Sequence, residues 1–214
     1  FAQIMASYNA TEHAPEEVSV VPWLAVSNPN GTFNFRTQKA FNSIQAALDD
    51  VDTVNGDTIW LEKTNYSENV VINKKITIRP VSWFNVTVQA LNLNLPIFTI
   101  NTDGNCTTIQ DLIINGSINN IAIYINSSTD NQILGNNITN SSNGVYLYNS
   151  TETVISGNNI LNNSLNGVLI ITGSDNEVSS NKITSNGSIG INIQNSTANR
   201  IYSNSLFTNQ DGIY

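Results

Sequence analysis

Between Asn120 and Tyr214 apolar and polar positions recur together every 22 or 23 residues, and apolar residues alternate with polar ones within short runs. In register the chain reads NIAIYINSSTDNQILGNNI, NGVYLYNSTETVISGNNI, NGVLIITGSDNEVSSNKI and IGINIQNSTANRIYSNSL, followed by the fragment DGIY. Gly144, Gly167, Gly190 and Gly212 share one position, and Ile133, Ile155, Val178 and Ile201 a second. Ile138, Ile160, Ile183 and Leu206 hold a third, and Asn136, Asn158, Asn181 and Asn204 a fourth. Self-similarity at this period predicts a solenoid, and the missing leucine consensus and helix exclude leucine-rich repeats. Alternation with period two predicts short strands that turn one side chain in two toward a narrow core. Three such strands per turn describe a coil of a parallel β-helix, paired with its neighbours at about 4.8 Å. Identical positions then superimpose: the isoleucines form an interior column, the asparagines hydrogen-bond one another along the stack, and the glycines mark bends.

Upstream the pattern loosens. From Asp57 to Ile114 strands are expected at Thr58 to Leu61, Asn69 to Ile72, Ile76 to Arg79, Thr87 to Ala90, Ile97 to Ile100 and Ile109 to Ile114. Leu112 falls at the inward position that Asn136 takes in the next coil, so the asparagine ladder begins only in the second half. Before the strands, FNSIQAALDDV places Phe41, Ile44, Leu48 and Val51 on one helical face, with Asn42 as N-cap, Gln45 three residues on, and Asn55-Gly56 as the stop. Such a helix would cover the open end of the solenoid. The chain thus divides into an arm (1–30), a capping segment (31–56) and a β-helix (57–214). The arm holds the acidic EHAPEE and an apolar run whose Val18, Val20, Val21, Trp23, Leu24 and Val26 either pack along their own domain or are exchanged with a neighbour.

Composition narrows the chemistry. Charged residues make up 11% of the 214 residues and hydrophobic ones 40%, with a net charge of −8, so Asn, Ser and Thr carry the polarity. Six of the eight basic residues lie between Arg36 and Arg79 among acids, which leaves no basic face for nucleic acid. Cys106 and His13 are the only cysteine and histidine, which excludes disulfides, thiolate zinc sites and Cys/His or Ser/His/Asp catalysis. Apolar runs are too short for a membrane span. The start at Phe1 suggests a processed or trimmed form. The break after DGIY leads to the expectation that more chain follows, or that a neighbouring subunit covers the last coil and builds a homopolymer.

The most frequent motif is Asn-X-Ser/Thr, an acceptor for N-linked glycan. It begins at Asn9, Asn30, Asn65, Asn85, Asn105, Asn115, Asn126, Asn137, Asn140, Asn149, Asn162, Asn186 and Asn195. Asn126, Asn149 and Asn195 fall at nearly the same place in successive coils, and Asn140, Asn162 and Asn186 in another turn. Asp130, Glu152 and Asp175 each precede an inward residue by three, forming a carboxylate ladder with Ala198 in the fourth coil. Stacked carboxylates repel unless a cation or water intervenes, so the ladder is either a calcium site, an acid/base pair or a solvated turn. No Arg, Lys, His or Tyr is expected beside it, which favours the solvated turn. No other cofactor is expected. Trp23, Trp60 and Trp83 read as core or cap packing.

The run FNSIQAALDDVDTVNGDTIWLEKTNYSENVVINKKITIRP resembles the opening of right-handed parallel β-helix domains, and the coils resemble carbohydrate-binding and sugar-hydrolase repeats. One departure is Thr64-Asn65-Tyr66 where those domains have Gly-Thr-Tyr. The resemblance spans Phe41 to Tyr214 and implies, by way of archaeal surface, adhesin-like, S-layer and sheath proteins, a glycosylated structural subunit of an extracellular layer or filament. A second possibility is a carbohydrate-active or carbohydrate-binding β-helix, but scattered charges and acceptor sites on every face favour the structural subunit, and no enzyme is expected; a viral fibre is a third.

Overall fold

The computed structural model describes residues 31–62, 65–81 and 85–214; the arm, with Asn9, Asn30 and the apolar run from Val18 to Val26, lies outside the described residues, as do Trp23 and Trp83. Three sheets run the length of a parallel β-solenoid, and every coil contributes one strand to each. The first sheet has nine strands, from Lys39–Phe41 and Thr32–Asn34 through Asp57–Leu61 to Arg200–Tyr202. The second and third have seven each, from Asn65–Ser67 to Ser205–Phe207 and from Val70–Ile72 to Asp211–Ile213. Apart from the hairpin at the start and its antiparallel pairing with Asp57–Leu61, all pairings are parallel and join residues one coil apart.

The inward columns are those the repeat predicts. Ile133, Ile155, Val178 and Ile201 pair in order in the first sheet, and Ile138, Ile160, Ile183 and Leu206 in the second. A third column, Ile125, Leu147 and Ile170, closes the triangle, and nearly all of these side chains are fully buried. Burial of so narrow a core stabilises only because each coil lends its neighbour a face, the nearest-neighbour logic of solenoids. Leu112 is buried at the inward position continued by Asn136.

Several local expectations need correction. The stretch Ile109 to Ile114 is two strands, Thr108–Gln110 and Ile113–Asn115, in different sheets. Asp111 between them turns the chain with a φ of 59°. Residues 31–41 form the hairpin Thr32–Asn34 and Lys39–Phe41, and Asn65–Ser67 is an additional strand. The one α-helix among the described residues, Ile44–Asp49, is capped by Ser43 rather than Asn42, because Ser43 has the extended backbone a cap requires and its hydroxyl accepts from Ala46 N at 3.0 Å. The Glu68 carboxylate accepts from Ile44 N and Gln45 N, and Lys74 donates to the carbonyls of Leu48 and Asp50 at the other end. The helix therefore stops at Asp49, not at Asn55-Gly56, and Val51 stands 88% exposed beyond it. Trp60 faces outward and stacks on Phe35 with ring centroids 5.1 Å apart. Nearby, burial would push the Asp57 carboxyl up, but bonds from Arg36, Asn34 and Val54 N hold it below the usual range and tie the hairpin to the first coil.

Candidate functional site

Each regular coil turns four corners, and the corners follow one rule. A residue with positive φ points outward, and the next residue points into the core. Cys106, Asp130, Glu152, Asp175 and Ala198 form one such column, with φ between 53° and 61°. Asp111, Gly135, Gly157, Ser180 and Ser203 form a second. Gly116, Asn140, Asn162, Ser185 and Thr208 form a third, and Ser127, Asn149, Thr172 and Asn195 a fourth. Left-handed backbone is costly for most residues and least so for Gly, Asn and Asp, which accounts for the corner composition before any function is invoked.

The residues after the corners, Leu112 and Gly173 excepted, are polar and stack in the core. Asn158 Nδ2 donates to Asn181 Oδ1 at 3.0 Å, and Asn181 Nδ2 to Asn204 Oδ1 at 3.0 Å. The same amides hold the backbone of the adjoining coils: Asn136 N donates to Asn158 Oδ1 at 2.8 Å, and Asn158 Nδ2 to Ile133 O at 2.7 Å. Two further ladders, Asn163, Asn186, Asn209 and Asn176, Asn199, recur at the same period of 23 residues behind other corners. Buried amides of this kind are tolerated because they are bonded on both sides.

This register sorts the acceptor sites. Asn140, Asn149, Asn162 and Asn195 are exposed at corners, each followed by an inward residue and then by Ser or Thr. Asn126 is not in their column: it pairs with Tyr148 at the end of a third-sheet strand, and Ser127 is the residue aligned with Asn149. Asn149 and Asn195 are consequently two coils apart, with Thr172 between them. Asn186 lies one residue past its corner, is 2% exposed, and gives both ends of its amide to the ladder. Asn65 and Asn85 are exposed, whereas Asn105, Asn115, Asn126 and Asn137 are half-buried. Asn105 Oδ1 accepts from Ser128 and Thr129 N, Asn115 Oδ1 from Asn140, and Asn137 Oδ1 from Asn159.

The acidic ladder occupies the first corner column. Asp130, Glu152 and Asp175 are exposed, one per coil, and among the described residues no group of three or more His, Cys, Asp or Glu is arranged to hold a metal ion. Thr129 Oγ1 donates to Glu152 at 3.3 Å. The expectation that no base or tyrosine stands beside the ladder is overturned. A shallow groove on the first sheet gathers Glu152, Asp175, Glu177 and Arg200, because Glu177 and Arg200 are partners in parallel register. Arg200 donates to Glu177, and Tyr202 Oη donates to it at 2.5 Å. Bonds from Tyr202, Arg200 and Ser179 hold the Glu177 carboxyl below its ordinary range. Such a group is fixed in the ionised state; it is an electrostatic clamp between two coils and lacks the raised pKa of a general acid.

Comparison with known proteins places this geometry. A cell surface glycoprotein of Methanothermus fervidus is 33% identical over 108 residues, which is 50% of this chain and 17% of that protein. Among solved structures, the catalytic domain of a GH87 alpha-1,3-glucanase in complex with nigerose matches 94% of this chain and 40% of its own, with a TM-score of 0.62 at 16% identity. The A-module of the Azotobacter vinelandii mannuronan C-5 epimerase matches 76% of this chain and 56% of its own, with a TM-score of 0.49 at 14% identity. At such identities the likeness to the glucanase is one of fold. Residues 97–214, more than half of the chain and all of its regular coils, match the right handed beta helix region, and this protein belongs to that family.

Proposed function

We propose that the chain is a structural segment of a cell-surface glycoprotein, forming part of an extracellular layer, sheath or filament of an archaeal cell and carrying N-linked glycan at its corners. The observation that carries this reading is the placement of Asn140, Asn149, Asn162 and Asn195 at exposed corners, where a bulky chain clears all three sheets. The name of the Methanothermus fervidus relative supports it. In the same reading the segment 31–56 closes the first coil, and self-assembly runs through the arm of residues 1–30.

Glycopeptide mapping of native material tests the reading. Glycan is expected at some of the four corner sites and absent from Asn186, whose amide has no room for it. Adjacent coils are about 4.8 Å apart, so Asn140 and Asn162 should not both be filled on one molecule, whereas Asn149 and Asn195, at about twice that spacing, should be. An unmodified chain at every site would remove the proposal.

A second reading, a carbohydrate-active β-helix, is favoured by the groove of Glu152, Asp175, Glu177 and Arg200. Because Glu177 is held ionised, we expect neutral and acidic polysaccharides to remain intact during incubation with the purified chain, with or without calcium. Product formation that disappears in Glu177→Gln would establish the second reading instead.

A further inference from the structure

The outward face of the third sheet carries a cluster of tyrosine rings. Six of its seven strands, from Val70–Ile72 to Ile189–Gln194, contain no charged residue, the seventh holding Asp211, although the chain as a whole carries a net charge of −8. Parallel register aligns Tyr124 with Tyr146 and Leu169 in one outward column, and Tyr148 with Ile171 in the next. The tyrosines form a continuous cluster: the rings of Tyr124 and Tyr146 are 5.3 Å apart and tilted by 38°, and Tyr146 meets Tyr148 edge-on at 6.4 Å. Amides of Asn126 and Gln194 border it, whereas Asn192 is buried and spends its amide on Asn166 and Gln194.

Nothing in the coil requires aromatic rings there, since the inward neighbours Ile123, Ile125, Val145 and Leu147 complete the core by themselves. The hydroxyls of Tyr124, Tyr146 and Tyr148 make no hydrogen bond among the described residues. Burial, first of all, raises the Tyr124 and Tyr146 hydroxyls above their ordinary pKa, so both stay protonated donors at neutral pH. The surface therefore combines ring faces and unused tyrosine hydroxyls with bordering amides, of which the Asn126 Oδ1 and the Gln194 Nε2 are already bonded within the chain. A dry protein partner would strand those polar groups. An anionic polymer would meet the negative field of the whole chain.

We propose that the outward face of the third sheet is a binding platform for a neutral polysaccharide, whose pyranose rings lie on Tyr124, Tyr146 and Tyr148 while their hydroxyls bond the tyrosine hydroxyls and the bordering amides. The columns run along the solenoid axis, so the polymer lies along that axis and crosses several coils. This goes beyond the surface role and does not depend on it, because the platform exists whatever the chain is part of.

Affinity electrophoresis of the unglycosylated chain tests the platform, with soluble β-glucan, glucomannan and xyloglucan as neutral probes and polygalacturonate as the anionic one. Retardation is expected on at least one neutral polymer and not on polygalacturonate. Tyr146→Ala should weaken it about tenfold or more, Tyr146→Phe should keep most of it, and Thr172→Ala, at a neighbouring corner, should leave it unchanged. An unaltered melting curve for Tyr146→Ala separates lost binding from lost fold. Retardation by none of the neutral polymers would overturn the proposal, as would retardation that Tyr146→Ala leaves intact or a preference for polygalacturonate. A concentration-dependent dimer dissolved by Tyr146→Ala, in place of glycan binding, would reassign the face to a second copy of the chain.

Discussion

Replacing Asn158 by alanine is expected to lower the free energy of unfolding by about 3–5 kcal/mol, among the largest effects a single side chain in this solenoid can have. Asn158 Oδ1 accepts from both Asn136 N and Asn136 Nδ2, while its own amide donates to Ile133 O, Ser156 O and Asn181 Oδ1. Alanine removes the acceptor and leaves buried donors and carbonyls of two coils without water to replace it, at about 1–3 kcal/mol for each group that stays unpaired. A control is Asn137→Ala, whose side chain on the outer face only accepts from Asn159 at 3.2 Å and whose loss should stay within about 0.5 kcal/mol. Urea unfolding at unchanged slope measures both. Equal effects would mean that the ladder is no more than a row of amides that water serves equally well. Leu112 marks the boundary of the argument: an apolar residue is accommodated at that inward position, and its own N–H is satisfied by Asn136 Oδ1 from the next coil. The ladder can end on leucine, but a break in its middle strands both sides.

That ladder was legible in the sequence because one residue type fills it in four successive coils, just as the isoleucine columns are. The column of Thr107, Asn131, Thr153 and Asn176 was not, because it satisfies the same need with different side chains. The corners were hidden for a similar reason: Cys, Asp, Glu and Ala all stand in one column, so backbone conformation recurs there without a recurring letter. A usable signal did exist. Asn140, Asn149, Asn162 and Asn195 each come two residues after an inward residue, respectively Ile138, Leu147, Ile160 and Ile193, whereas Asn186 comes three after Ile183. Counting from the nearest inward residue distinguishes an exposed acceptor from a buried one; matching turns by eye does not. Glu177, Arg200 and Tyr202 were missed because their proximity is a property of the stack. They are 23 and 25 positions apart in the chain, yet lie on adjacent strands. The tyrosine cluster is of the same kind, since Tyr124 and Tyr146 meet only through register.

Gly167→Ala is expected to cost more than about 3 kcal/mol, and the reason is space and not backbone freedom. A Cβ on Gly167 would lie 2.5 Å from Ile183 Cγ2 and 2.7 Å from the carbonyl oxygen of Gly190. The isoleucine can turn, but the carbonyl belongs to the next strand of the third sheet and cannot retreat without opening the coil spacing. Gly144 meets the same obstruction from the carbonyl of Gly167 at 2.6 Å, so the recurring glycine is a column of backbone-to-backbone approaches. Gly157 provides the contrast. Its φ is 68°, yet a Cβ there would find nothing nearer than 3.9 Å, so Gly157→Ala carries only the left-handed backbone penalty of about 1–2 kcal/mol. Ser180 and Ser203 already bear that penalty in the same column. Unfolding curves should therefore rank Gly167→Ala well below Gly157→Ala, and a Gly167→Ala protein within about 1 kcal/mol of the parent would show that the coils breathe apart more easily than this close stacking implies. The site also lies just before Val168–Ile171, the strand that sets Leu169 beside Tyr146. Splaying the sheet there should disturb the tyrosine face along with the core, so Gly167→Ala is expected to lose glycan retardation together with stability, while Gly157→Ala, on a corner between the other two sheets, keeps its retardation unchanged.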